Sequence, residues 1–433
     1  MFAWVRKVGT ATSRAPSFIR RRARGLPLLP TVLLAIGGGV VLAVVAELIL
    51  NHVTHVSAEA AKPIDVTKLA FSAVAGVGGV VALVVAYRRQ RDIEQGRFIE
   101  RFGAAAAQLG ASDVAVRIAG VYAMAGVADE ATGIRRQQCI DVLCGYLRLP
   151  YSPELGSNHQ SKLVLTEARS VAGARFGQQE RHLEYRQNDK EVRKTIVRVI
   201  ADRLRNHEYS WSACDFDFRT AHLEDVDFSR AVFDGTTRFD AARFTGAALF
   251  NEATFSDDVW FDEATFSSTA AFWDVTLSGA AVFDGATFSG RAVFYRGRFA
   301  FGAAFSHATF CGAAVFDGAR FGRKPYFVGA TFSDGAGFDL ARLSDGAEFH
   351  GARFSDGVAF SGLTISGDVG FEKVAFAGHS SFAGTDFGTG TISFENPRQW
   401  GPPAPRFDWD SDFSTKPQNV KPPDWPPTPI AEG

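Results

Sequence analysis

Written in rows of eleven from Ala242, the chain repeats itself. ARFTGAALFNE, ATFSDDVWFDE, ATFSSTAAFWD, VTLSGAAVFDG and ATFSGRAVFYR follow one another, the pattern runs on to VAFAGHSSFAG, and a further copy, AVFDGTTRFDA, begins at Ala231. A large apolar residue holds the third and ninth places of each row, usually with a small residue two places before it. Such a period can describe a right-handed helical supercoil. The rows exclude that, because nearly all carry Gly, Ser, Asp or Thr at several places, and each Gly costs a helix about 1 kcal/mol relative to Ala. The counts of 39 Phe and 43 Gly beside 2 Met suit repeated turns joined by very short strands.

A coiled strand solves the packing problem that this pattern sets. In the unit Ala286-Thr287-Phe288-Ser289-Gly290 the strand period of two turns Ala286 and Phe288 to one side and Thr287 to the other. Four units close a square coil of about 22 residues, and equivalent residues then stack at the interstrand distance of ~4.8 Å. Four internal columns follow, stepping by one coil from Phe239 to Phe371, Phe250 to Phe382, Phe255 to Ile365 and Phe244 to Phe376. The large residues are alternately six and five apart, and the extra residue, often Gly as in Ser-Asp-Gly at 333–335, 344–346 and 355–357, widens a corner. Seven coils make a rod of roughly 34 Å. Its ends need caps, for which the chain offers a helix ending near Asn206 and the segment from Phe394 to Trp400.

The rows resemble the pentapeptide-repeat family, whose motif is A(D/N)Lxx. Ala221-His222-Leu223-Glu224-Asp225 and Val226-Asp227-Phe228-Ser229-Arg230 fit it best; later units prefer Phe to Leu and insert a sixth residue. The resemblance covers about Phe216 to Phe387 and implies an all-β, right-handed quadrilateral β-helix. It brings little catalytic precedent. Some soluble members of the family mimic DNA and bind type II topoisomerases.

The N-terminal part reads differently. An arm over 1–27 carries Arg6, Lys7, Arg14, Arg20, Arg21, Arg22 and Arg24 and no acid. Apolar runs at 28–50 and 69–87 are each long enough to span a bilayer as a helix, joined by a short external loop at 51–68. Arg88, Arg89 and Arg91 follow the second run, so the positive-inside rule puts both termini in the cytoplasm. A signal peptide would have a shorter apolar core and leave the second run unexplained; the paired arginines also admit twin-arginine export. Gly37, Gly38, Gly39, Gly76, Gly78 and Gly79 would let the two helices pack closely. No charge sits mid-membrane to line an oligomeric pore.

Residues 88–210 read as a small α-helical linker domain. Helical stripes run through Phe98, Phe102, Ala105 and Leu109, through Val114, Ile118, Val121 and Ala125, through Cys139, Val142, Leu143 and Tyr146, and through Val192, Ile196, Val199 and Leu204. The polar stretch 158–188 reads as a loop or mobile helix. ERFGAAAAQLG, AVRIAGVYAMAGVAD and RRQQCIDVLCGYLR resemble an uncharacterised helical module of bacterial, especially actinobacterial, membrane proteins that also carry pentapeptide repeats. The four cysteines, Cys139, Cys144, Cys214 and Cys311, form no CxxC or Cys/His cluster and read as reduced, buried thiols. The tail 396–433 is Pro-rich and reads as extended and disordered, with Trp409 and Trp425 placed to anchor it to the solenoid or to a partner.

No P-loop, GxSxG, HExxH or dinucleotide fingerprint is present, so no catalytic, cofactor or metal residues are expected and the chain reads as a non-enzyme. The expected function is a membrane-anchored scaffold over 211–395, presenting a rigid rod to an unidentified protein on the cytoplasmic side. Between Trp211 and Glu395 there are about 24 acids and about 13 bases, which makes the rod acidic. Candidate outer-face residues are Asp240, Asp262 and Asp284, which share one column, with Trp273, Tyr295, Arg296 and Arg298; Arg323 and Lys324 also point outward. Stacked carboxylates repel unless a cation or a basic partner faces them. Two alternatives stand beside the scaffold: an effector or sensor whose soluble part controls the membrane hairpin, and a DNA mimic. The basic residues that interrupt the acidic columns disfavour the second. Partners are the lipid bilayer and a protein rather than nucleic acid, with oligomers allowed.

Overall fold

The computed structural model describes residues 44–45, 63–153, 162–171, 174–184, 189–206 and 210–430. The arm over 1–27 and almost all of the first apolar run lie outside these residues. Contacts divide the chain into two units, Met1–Ile99 and Glu100–Gly433.

In the first unit, helix α1 (Pro63–Leu109) is already formed within the segment expected as a loop and runs past the expected boundary at residue 87 into the second unit. Pro63 suits the first helical turn, where no N–H partner is needed. The Arg, Gln, Glu and Ala residues after Tyr87 are good helix formers, so the change in polarity brings no break in the backbone. Val80 and Leu83 of this helix are 59% and 72% exposed. Among the described residues no helix is long and apolar enough to cross a membrane, and the expected two-helix hairpin is not seen among them.

The second unit begins with three packed helices, α2 (Val114–Glu130), α3 (Ile134–Arg148) and α4 (Asp189–Arg205). Asp113 caps α2, its carboxylate accepting the Ala115 N–H at 2.7 Å. Buried Val121, Met124, Ile140, Leu143, Ile196, Val199 and Leu204 form the shared core. Two arginines serve helix ends: Arg136 donates to the carbonyls of Ala128 and Ala131 at the end of α2, and Arg193 to those of Leu147 and Leu149 at the end of α3. These satisfy carbonyls that a helix terminus leaves over.

Between α3 and α4 the stretch expected as a loop or helix is an antiparallel hairpin, β1 (Lys162–Val171) and β2 (Ala174–Glu184), with Val171 opposite Ala174. Val164, Thr166 and Val171 favour a strand. The polar residues between them leave no apolar alternation to reveal the period of two.

From Phe216 the chain winds into a four-sided coil. Strands of two or three residues pair in parallel with the equivalents one coil away, as Thr265 with Thr287 on the second side, Ala270 with Ala292 on the third and Thr276 with Arg298 on the fourth. On the first side Arg238 lies opposite Trp260 and Trp260 opposite Val282. The four expected columns are inside. In the first, ring centroids are 4.8, 4.7, 4.8 and 5.0 Å apart from Phe239 through Phe261, Phe283 and Phe305 to Phe327, with rings within 8° of parallel. The small residues two places before the rings, such as Ala286, Ala308 and Ala330, are wholly buried. They let the walls close on the rings.

The tight corners use left-handed backbone. Two residues after each ring of the Phe239 and Phe250 columns φ is positive, as at Ala241, Glu252, Asp274, Arg296, His307 and Leu340. These are the five-residue corners. Gly337 has a different cause: the Asp317 carboxylate lies 2.4 Å from where a Cβ would stand.

The entrance is covered by α4, whose Arg205 donates to the carbonyls of Asp227 and Ser229 in the first coils. The exit differs from expectation, because the tail after Asn396 is ordered as far as Ile430. Phe394 and Phe407 extend the first and third-side columns at 4.7 Å each. Val420–Lys421 pairs with Ile392–Ser393. Trp425 meets Phe394, Trp400, Phe407 and Trp409 at 5.0–5.8 Å. Both tryptophans named from the sequence therefore anchor the tail to the solenoid. Proline content suggested an extended, disordered chain, but the tail folds back through turns and a short 3-10 helix at Phe413–Thr415, and aromatic burial fixes it.

Because Phe305 is wholly buried with rings above and below it, Phe305→Ala should cost about 3–5 kcal/mol. Urea unfolding checks this; a loss below about 1 kcal/mol would show that the core collapses around the cavity.

Candidate interaction surface

The residue following each ring sits at a corner, and its side chain leans over the next coil. An acid there has a defined task. Asp284 accepts the backbone N–H of Ser306 at 2.8 Å, Asp317 that of Asp339 at 3.0 Å and Asp339 that of Ser361 at 2.7 Å. The parallel ladder leaves this donor over at each corner, and an Asp one coil earlier takes it.

Asp240, Asp262 and Asp284 are all half-buried at the corner between the first and second sides. Asp240 is held by Arg238, whose Nη2 is 2.6 Å away and whose guanidinium lies 5.5 Å from the Trp260 ring. Asp262 stands between the other two. Burial pushes its carboxyl up to about 6, and the charges of Asp240 and Asp284 add to this while Arg238 opposes it. Burial also raises Asp284, against the donors of Ser306. The column is therefore half-buried, with Asp240 held by Arg238, Asp284 by the Ser306 N–H, and Asp262 flanked by the charges of both.

The other named residues lie across the coil, where the third side turns into the fourth. Trp273 and Tyr295 occupy one corner on successive coils, 37% and 43% exposed. Arg296 donates from Nε to Asp274 at 2.8 Å and lies 5.3 Å from the Tyr295 ring. Arg298 points outward on the fourth side, in register with Arg320, which is in register with Arg342; all three are exposed. Arg320 and Arg342 were not singled out from the sequence, although they hold the same place as Arg298 in every second row. Phe301, at the far edge of this side, is 47% exposed under the Arg323 guanidinium. Lys324 is bound to Glu348 at 2.9 Å. What read as one outer face is thus two, acidic and basic-aromatic, on separate parts of the coil.

Two other places were weighed. At the entrance, Asp189 accepts from Arg117 at 2.7 Å and from the Tyr146 hydroxyl at 2.6 Å, while Glu224 accepts from Tyr151 and pairs with Lys190, both at 2.6 Å. Burial would raise the Glu224 carboxyl, but Lys190 and Tyr151 together hold it below its ordinary range. Every member is turned toward another, so the network fastens the helices to the first coil. On the third side an open depression of about 720 Å³ is lined by Val315, Gly337, Ala359, Pro403 and Arg406, where side chains shrink along the sheet. Among the described residues no group of three or more His, Cys, Asp or Glu is placed to hold a metal. Cys139, Cys144 and Cys214 are buried, and burial pushes the Cys139 thiol up to about 11. Cys311 is exposed, contrary to expectation, because it follows Phe310 and so falls on a corner.

A four-sided parallel coil built from Ala-x-Phe units, with rings stacked along its axis, is a repeat solenoid. The family model for pentapeptide repeats (nine copies) matches residues 228–276 and 316–364. No curated protein and no solved structure matches the chain.

A carboxyl whose folded pKa lies above its unfolded value binds its proton more tightly in the folded chain. Its contribution is full below the ordinary Asp range and is lost as pH rises through about 6 for Asp262. Asp262→Asn should therefore stabilise the protein at pH 7.5, by about 1 kcal/mol after allowing for solvent screening, and leave stability unchanged below pH 4. Melting curves across that range check it, and a gain independent of pH would refute the electrostatic account.

Proposed function

We propose that the chain is a membrane-anchored scaffold whose solenoid presents a rigid, register-locked surface to a protein partner on the cytoplasmic side. Pentapeptide-repeat solenoids are typically non-catalytic protein-interaction rods. The observation that carries the reading here is the exposed row of Trp273 and Tyr295 beside Arg298, on a backbone held by stacked rings. Trp, Tyr and Arg are the residues that dominate protein interfaces, and here Trp273 and Tyr295 stand on a corner of the coil and Arg298 on the two-residue strand that follows, so their backbone loses little freedom on binding.

Anchoring is supported by the two apolar runs, the arginines outside them, and the exposed Val80, Leu83, Val84 and Val85 of α1. Burying such residues in hydrocarbon removes from water an apolar surface that the described structure leaves uncovered. The exposed Arg298, Arg320 and Arg342 of the fourth side count against DNA mimicry, which needs acidic charge over much of the rod.

Alkaline carbonate washing of native membranes should leave the chain in the pellet; release into the supernatant would overturn the anchor. Crosslinking and capture from those membranes should recover a specific protein with the wild type. The Trp273→Ala/Tyr295→Ala variant should recover at least tenfold less at an unchanged melting temperature. Equal recovery would remove this corner from the interface.

A further inference from the structure

The fourth side carries three arginines, Arg298, Arg320 and Arg342, on successive coils. All three are exposed, and none forms a salt bridge or side-chain hydrogen bond with another described residue. The acids at the adjoining corner are engaged elsewhere: Asp317 and Asp339 accept backbone N–H groups from the following coil, and Asp274 holds Arg296. Three unpaired guanidinium groups in a straight line, one every ~4.8 Å, are costly by mutual repulsion unless anions face them. Guanidinium groups match carboxylates best, by paired N–H donors.

A row of carboxylates with that pitch exists on the same molecule. Asp240, Asp262 and Asp284 also stand on successive coils, so the β-ladder that sets the arginine spacing sets theirs as well. The two rows are equal in number and opposite in sign, with Arg238 offsetting part of the charge at the Asp240 end. They cannot meet within one chain, because the acids lie at the corner between the first and second sides and the arginines along the fourth.

We propose that the arginine ladder of one chain docks on the aspartate column of a second copy of this chain, so that the solenoids pack side by side. The proposal gives the scaffold reading one definite partner and rests on that reading's premise of a rod with a presented surface. The contact is heterologous. Each added copy leaves an arginine ladder open at one end of the row and an aspartate column open at the other, so copies add in an open series and do not close as a pair. Arg238, already beside Asp240, sets the precedent for a guanidinium on this column, and an incoming arginine relieves Asp262, flanked by two like charges.

Sedimentation velocity on the full chain in detergent tests this. At 50 mM salt the wild type should show a concentration-dependent series of oligomers, and its association constant should fall at least tenfold at 500 mM. Arg320→Glu and Asp262→Arg should each be monomeric, with melting temperatures near that of the wild type, since each relieves a row of like charges. Mixed together, the two variants should regain the series of oligomers, because the reversed ladder of Arg320→Glu fits the reversed column of Asp262→Arg and the unaltered ladder of Asp262→Arg fits the unaltered column of Arg320→Glu. A wild type monomeric throughout overturns the proposal. So does association that survives either substitution, which would place the contact elsewhere, for example in the apolar runs. A monomeric chain that still captures another protein through Trp273 and Tyr295 would sink this inference and leave the scaffold reading standing.

Discussion

The structure depends on a coincidence of two distances. Strands hydrogen-bonded in a sheet repeat at ~4.8 Å, and the Phe rings of the first column repeat at 4.7–5.0 Å. A ring stacked at this separation is close to its preferred contact, so side-chain packing and backbone pairing demand the same rise and neither strains the other. Across the axis, rings of neighbouring columns meet edge to face, as Phe261 with Phe272 at 89°. Coil after coil can therefore be added without loss of fit. This is why a strand of two residues, too short to persist by its own hydrogen bonds, is sufficient as the element of the wall.

That same repetition explains what could be read before any coordinates were available. The columns were legible because an inward position recurs with the strand period and with the coil, and Ala and Phe mark it at each turn. Features outside the repeat were not. The hairpin β1–β2 is largely polar in sequence and shows no apolar alternation. The order of the tail arises from Trp400, Phe407, Trp409 and Trp425 meeting in space, which spacing along the chain does not disclose. The membrane-spanning reading rests on two runs, of which the described residues take in the second, 69–87, within α1 but only two residues of the first. The arginine ladder is legible in principle, since its members hold the second place of alternate rows, but that place is outward and carries no apolar signal to mark it.

Charge on this solenoid has two distinct uses. At the corners after the Phe239 and Phe250 columns, carboxylates work inward, taking N–H groups that a parallel ladder leaves unpaired. On the strand faces, charges point outward and have no such duty, as with Arg298 and its successors. An acid count along the sequence mixes the two and overstates how acidic the presented surface is. Asp262 shows the cost of the first use: a wall position favours an Asp on each coil, and three in succession crowd their charges.

The last coil bears on how the molecule behaves among other proteins. A parallel β-helix ends in a row of unpaired backbone groups, and such an edge invites any extended chain to join it, the first step toward fibrous growth. Here the final strand, Val420–Lys421, is followed directly by Pro422 and Pro423, and then by Pro426, Pro427 and Pro429. Proline offers no N–H to an incoming strand. The tail thus completes the sheet with a rung that cannot be copied, and the composition that looked like disorder acts as a stopper against templated polymerisation.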